Sequence, residues 1–197
     1  MIHDHGGRPY DWVGAWSERR ATLTPDTIGL KDVTTGESYT YADLDERANR
    51  TARLLAERGV EKGDRIAVVS RNRVELVDLF FAAGKLGAVL APLSHRLAPP
   101  ELGELLDRVD PSLLAVETPF VEDVAAAGGD GDAVDDSLAE ASGDDPPCPT
   151  VRLPAETDAE ATPSAIDDAP TYADALPVDG SPVDGADVAL DDPALFL

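Results

Sequence analysis

The sequence predicts an α/β fold of parallel βαβ units behind an N-terminal hairpin, and three observations carry it. Two short unbroken apolar runs, Ile66-Ala67-Val68-Val69 and Ala88-Val89-Leu90-Ala91, have the length of strands covered on both faces. Between them, Leu76, Leu79, Phe80 and Ala83 recur at the three-to-four spacing of an amphipathic helix. Capping residues and glycines punctuate the region where helices should begin and end. A buried strand, a crossover helix and a second buried strand make a right-handed βαβ unit the expected arrangement.

Taken in order, residues 1–11 read as a loose terminus, and Trp12 to Arg20 as a short helix with Trp12, Val13 and Trp16 on its apolar side. Ile28 to Lys31 and Glu37 to Thr40 flank Thr34-Thr35-Gly36, a hairpin turn in which Gly takes a positive φ. Thr40 reads as an N-cap with Asp43 in the capping-box position. The helix it opens carries Leu44, Ala48, Ala52 and Leu55, and Gly59 closes it. Asn72 and Glu75 repeat the capping logic for the crossover helix, which Gly87 ends. Pro99-Pro100 starts a third helix with Leu102, Leu105, Leu106 and Val109 inward, and Leu113 to Val116 follows as a strand.

After Pro119 the signal weakens. Phe120 to Ala127 reads as one more helix and Val151-Arg152-Leu153 as a brief strand. Residues 119–170 as a whole are acidic and rich in Gly and Pro, with too few large apolar side chains to offset the entropy of ordering. The expected organisation is therefore a fold over 1–118, a flexible acidic insert over 119–170, and a return to the fold over 171–197. Tyr172 to Leu176 reads as a helical turn.

The charge is uneven. Residues 1–110 hold 15 Lys and Arg against 18 Asp and Glu, while 111–197 hold Arg152 alone against 21 acidic residues, which together make the net −23. Nothing in the acidic half could neutralise phosphates, which argues against nucleic-acid binding. Asp outnumbers Glu by 26 to 13, and Lys occurs three times against 13 Arg. That balance suits a salt-adapted surface, because at about 1 M salt the screening length falls to roughly 3 Å. The blander reading is an acidic tail on an ordinary domain. No run approaches the ~18 apolar residues of a membrane span, and no hydrophobic export signal stands at the start, so a cytoplasmic location is expected. Cys148 is the single cysteine, so no intramolecular disulfide forms.

Tyr39-Thr40-Tyr41-Ala42-Asp43-Leu44, Arg47-Ala48-Asn49-Arg50, Gly59-Val60, Gly63-Asp64-Arg65-Ile66 and Lys85-Leu86-Gly87-Ala88-Val89-Leu90-Ala91-Pro92-Leu93 follow one another over about sixty residues. In this order and spacing they resemble the opening motifs of the adenylate-forming (AMP-binding) enzymes, acyl-CoA synthetases and their relatives. Ser94-His95-Arg96-Leu97 departs at its first position from the Asn-x-Arg-Leu that commonly follows in that family. The resemblance implies two-step chemistry: ATP and a carboxylic acid give an acyl-adenylate, and a thiol such as coenzyme A then takes the acyl group.

ATP, Mg²⁺ and CoA are thus implied for a complete enzyme. Ala194 to Leu197 resembles the strand that leads into the family's phosphate-binding loop, and the loop itself does not follow. The resemblance therefore implies an incomplete N-terminal subdomain, inactive alone, from a gene interrupted or split, with the C-terminal part either encoded separately as a partner or lost. No catalytic, cofactor-binding or metal-binding residue is assigned. The alternative is a non-catalytic acidic interaction module, and unpaired strand edges would lead either form to a partner or to aggregation.

Local motifs add little. Gly84-Lys85 lacks the earlier Gly of a Walker loop, since Leu79 stands there, and lies within a helix. Asp130, Asp132, Asp135 and Asp136 miss the glycine and the final glutamate of a calcium loop. His3-Asp4-His5 reads as a frayed terminus rather than a chelate. His95 stands at the C-terminal end of a buried strand, where α/β folds place ligands, although a loop histidine is the plainer reading. Arg96 reads as an anchor for neighbouring carbonyls, and Trp12 and Trp16 as helix packing.

Overall fold

The computed structural model describes residues 12–127, 148–154 and 171–183. The expectations for 1–11, for the Asp130–Asp136 cluster and for a strand over 194–197 lie outside the described residues.

Val13–Ala15 forms a 3-10 turn, and α1 follows over Trp16–Leu23. The helix thus starts later than its apolar pattern suggests, because Trp12 is pinned: its indole Nε1 donates to the carbonyl of Gly84 at 2.7 Å. That contact lays the turn backbone-to-backbone on a later helix. A Cβ on Gly14 would sit 2.2 Å from the Gly84 oxygen, and a Cβ on Gly84 would sit 2.9 Å from the Gly14 Cα. Trp12 and Val13 are buried as expected, whereas Trp16 is 48% exposed.

Strands β1 (Ile28–Lys31) and β2 (Ser38–Thr40) pair antiparallel around Gly36, at φ 79°. Helix α2 runs Tyr41–Glu57 from a complete capping box. The Thr40 Oγ1 accepts from the Asp43 N–H at 3.1 Å, and an Asp43 oxygen accepts from the Thr40 N–H at 2.8 Å. Gly59 follows the helix at φ 84°.

Next come β3 (Arg65–Val69), α3 (Val74–Leu86), β4 (Val89–Leu93), α4 (Pro99–Val109) and β5 (Leu113–Glu117). The cap of α3 is Arg73 rather than Asn72. The Arg73 guanidinium is held by Glu75 at 2.7 Å and by the Pro154 carbonyl at 2.5 Å, which fixes Arg73 in extended backbone one residue further on. Gly87 at φ 71° ends α3, as the sequence suggests.

Among the described residues between 119 and 170 lie α5 (Val121–Ala127) and β6 (Thr150–Leu153). Helix α6 (Tyr172–Ala175) lies beyond them. Strands β4, β3, β5 and β6 make one parallel sheet in that order. Alternation along the strands sorts its two faces. Ile66, Val68, Leu113 and Ala115 pack with Leu55, Leu79 and Ala83 from α2 and α3. Ala67, Val69, Leu114 and Val116 pack with Leu102, Leu106, Val121 and Val124 from α4 and α5. Helix α1 and its 3-10 turn then pack on α2 and α3, a third layer that encloses Asp45 and Lys85.

Candidate functional site

In an open parallel sheet, ligands bind outside the carboxyl ends of the strands, where the strand order reverses. Here β4 lies on one side of β3 and β5 on the other. The gap between β3 and β5 is closed by Glu117, at 0% exposure. Its carboxylate accepts from the Arg71 backbone N–H at 2.8 Å and from the Arg71 Nη2 at 2.6 Å, with the Arg73 Nη1 3.9 Å away. Sequence reasoning passed over Glu117, though a carboxylate ending an apolar strand run was a usable signal.

One strand over, between the ends of β3 and β4, the sheet opens into a cavity of about 480 Å³. Ser70 and Asn72 line its β3 side, and Ser94, His95 and Arg96 its β4 side. The His95 ring lies 4.8 Å from that of Phe120, over which the Arg71 guanidinium also sits at 5.6 Å. Among the described residues, His95 hydrogen-bonds to no hydroxyl or thiol.

Arg96 is exposed, and its backbone N–H donates to the Ser94 Oγ at 3.3 Å. Its guanidinium meets no carbonyl or carboxylate among the described residues, contrary to the expected anchor role. A cation at a cavity lip with hydroxyls beside it is a group that binds anions, not one that transfers protons.

The other ionisable clusters hold the fold together. The Lys85 Nζ, 3% exposed, donates to the Asp45 Oδ1 at 2.8 Å, the Ser17 hydroxyl donates to the same oxygen at 2.7 Å, and the Asn49 amide reaches Oδ2 at 3.3 Å. Lys85 thus joins α1, α2 and α3 and is unavailable as a phosphate-loop lysine. Arg47 reaches Asp78 at 2.7 Å, and the Tyr172 hydroxyl reaches the same carboxylate at 3.2 Å. Tyr172 also pairs with the Thr51 hydroxyl.

Burial pushes the Asp78 carboxyl up to about 6 although Arg47 pulls the other way. Burial, with Asp78 nearby, also holds the Tyr172 phenol well above its ordinary range. Such shifts mark functional sites only when a reactant can reach them, and the Asp78 carboxylate and Tyr172 hydroxyl are enclosed by α2, α3 and α6, with Arg47 partly exposed beside them. At Glu75, burial is outweighed by Arg73, which keeps its carboxyl low. Burial raises the Cys148 thiol to about 11, which makes it inert. Among the described residues no three His, Cys, Asp or Glu side chains converge on a metal position.

A parallel sheet covered by helices on both faces, with an open cavity at the strand carboxyl ends, defines a protein of the α/β class. Comparison with known proteins makes this specific. The family of AMP-binding enzymes matches residues 17–197, and the chain belongs to that family.

A long-chain-fatty-acid–CoA ligase of Mycobacterium tuberculosis is 40% identical over 94 residues, 48% of this chain and 19% of the ligase. A feruloyl-CoA synthase of Amycolatopsis is 37% identical over 114 residues, 58% of this chain and 23% of that enzyme. Among solved structures, the inhibitor-bound N-terminal domain of FACL13 from M. tuberculosis matches with a TM-score of 0.72 at 26% identity, covering 93% of this chain and 39% of that one. The chain therefore spans about a fifth of the length of the curated relatives it matches.

Proposed function

We propose that the chain takes part in activating a carboxylic acid, first as an acyl-adenylate and then as a thioester of coenzyme A, by supplying the first layers of an AMP-forming acid–thiol ligase. The observation that carries this is the cavity at the ends of β3 and β4, with Arg96 at its lip meeting no carboxylate among the described residues. A phosphate-bearing reactant would lay an anionic group on that guanidinium, with the Ser94 hydroxyl beside it.

The described residues do not fit the triphosphate or Mg²⁺. Lys85 is committed to Asp45 inside α3, and no cluster of carboxylates faces a shared metal position. No chemical step is derived through either group, and the remainder of the site would come from residues or a partner polypeptide beyond those described. The names of the matched relatives support a fatty or aromatic acid as substrate. No described helix is long and apolar enough to cross a membrane, and the reading places the enzyme in the cytoplasm. The acidic composition supports a salt-rich setting, in which circular dichroism should report more folded protein as KCl rises; loss of structure with salt would refute that part.

The test is pyrophosphate release from ATP by the purified chain, with Mg²⁺, CoA and a panel of fatty and aromatic acids. No turnover by the 197-residue chain alone is the expected result. Turnover at ordinary enzyme rates would overturn it, because the triphosphate cradle would then lie within these residues.

A further inference from the structure

A second cavity lies on the far side of the helix layer, away from the sheet ends. It encloses about 540 Å³ between α1, the β1–β2 hairpin and the outer faces of α2 and α3. Leu23, Leu30, Leu44, Val77 and Phe81 form its apolar walls, and Trp16 stands half-exposed at its mouth. Its size and apolar lining match ordinary small-molecule pockets, which add a few placed polar groups to an apolar body. Gly29 keeps its floor closed, since a Cβ there would lie 2.8 Å from the Tyr41 ring.

Its polar lining is Ser17, whose hydroxyl is committed to Asp45, with Arg19 and Arg20, and of these Arg20 is the one placed over an aromatic ring. Its guanidinium lies 4.5 Å over the Tyr41 ring at the rim, and both side chains line the cavity. In this chain 39 acidic residues compete for 16 Lys and Arg. Arg47, Arg50, Arg53, Arg65, Arg71 and Arg73 each meet a carboxylate. Among the described residues Arg20 meets none, although acidic side chains are abundant. The aromatic face beneath it orients the cation without neutralising it.

We propose that this cavity binds an amphiphilic monocarboxylate, its apolar body among Leu23, Leu30, Val77 and Phe81 and its carboxylate on Arg20. The site is separate from the cavity at the strand ends and does not depend on the function proposed above.

The test is binding of decanoate, decanol and decylammonium to the full chain in about 1 M KCl, where the screening length is roughly 3 Å. The readout is Trp fluorescence, with Trp16→Phe removing the signal. Non-specific adsorption to a chain of net charge −23 gives the anion no advantage, and close contacts with surface carboxylates rank decylammonium at or above decanol. The site requires the reverse, decanoate ahead of decanol ahead of decylammonium. Arg20→Gln should weaken decanoate about tenfold and leave decanol unchanged; this exposed position is not needed for folding, which thermal melting checks. Equal decanoate affinity in Arg20→Gln, a preference for the ammonium, or no binding of decanoate at all would each overturn the proposal. Leu30→Asp offers an independent check, since it should abolish decanol binding as well.

Discussion

The two helix layers on the sheet are held by different physics. Under α4 and α5 the contact is apolar throughout, from Ala67 and Val69 to Leu102, Leu106 and Val124, and the outer surface carries Glu101, Glu104, Asp107, Glu122 and Asp123. Under α2 and α3 an apolar core of similar kind is topped by two enclosed charge networks, one on Asp45 and Lys85, the other on Asp78, Arg47 and Tyr172. The difference lies in what covers the helices. Among the described residues nothing covers the outer faces of α4 and α5, whereas α1 covers Asp45 and Lys85 and Tyr172 of α6 covers Asp78, so side chains that would otherwise point to water are enclosed and must pair. Several residues that carry the family resemblance, Arg47, Asn49 and Lys85, belong to these networks. The motif specifies a three-layer stack, and the other face needs only apolar residues of suitable size.

The largest expected effect breaks the first network. Lys85→Met leaves Asp45 enclosed without its cation and should cost about 3–5 kcal/mol of stability in urea unfolding. Adding Asp45→Asn should restore part of the loss, because Ser17 can still donate to a neutral amide oxygen while the unpaired charge is gone. If the double variant is less stable than Lys85→Met by a further full increment, Asp45 and Lys85 act independently and the layers do not differ in the way described.

The second effect sharpens the comparison through pH. Burial holds the folded Asp78 carboxyl at about 6, against 3.8 for the ordinary group. A raised folded value means that the folded state binds the proton more tightly. The stabilising contribution is therefore fully present below 3.8 and is lost as pH rises through about 6. Asparagine does not titrate, so the stability of the natural chain relative to Asp78→Asn should fall across that window, by at most about 3 kcal/mol. Titrations common to both chains cancel. Parallel stability profiles from pH 4 to 7 would mean that Arg47 offsets the burial of Asp78 in full.

Much of this architecture is legible in the chain. The Thr40–Asp43 cap, the Gly59 and Gly87 stops, the Pro99 start and the buried strands follow from local rules that need no knowledge of what lies across the fold. The charge networks do not, because a periodic pattern locates one apolar stripe per helix and cannot register a second cover. Asp45 and Asp78 read as solvated charges between apolar positions until α1 and Tyr172 close over them, the latter from 94 residues past Asp78. The α3 cap lies at Arg73 for the same reason, since the Pro154 carbonyl, just past β6, holds its guanidinium. At the cavity, the position of His95 at a strand end was readable. The lack of a carbonyl partner for Arg96 among the described residues was not, because whether a guanidinium finds a carbonyl is decided by loop geometry.

The smallest effect tests whether the two layers differ even in their local starts. Helix α2 opens on Thr40 at φ −74° and ψ 169°, with its hydroxyl accepting from Asp43, while α4 opens on Ala98 at φ −68° and ψ 151°. The backbones are nearly the same, and Glu101 already returns a bond to the Ala98 N–H at 3.0 Å, as Asp43 does for Thr40. What α4 lacks is an oxygen on the cap residue, because an alanine methyl accepts nothing. Thr40→Ala should therefore cost about 1 kcal/mol, and Ala98→Ser should add roughly 0.5–1 kcal/mol by completing the box. Both are readable as shifts of the urea midpoint at unchanged slope. If Ala98→Ser gives nothing while Thr40→Ala costs the full amount, the start of α4 is set by Pro99 and Pro100 and not by its cap. The two layers would then differ at their first turns as well as in their cores.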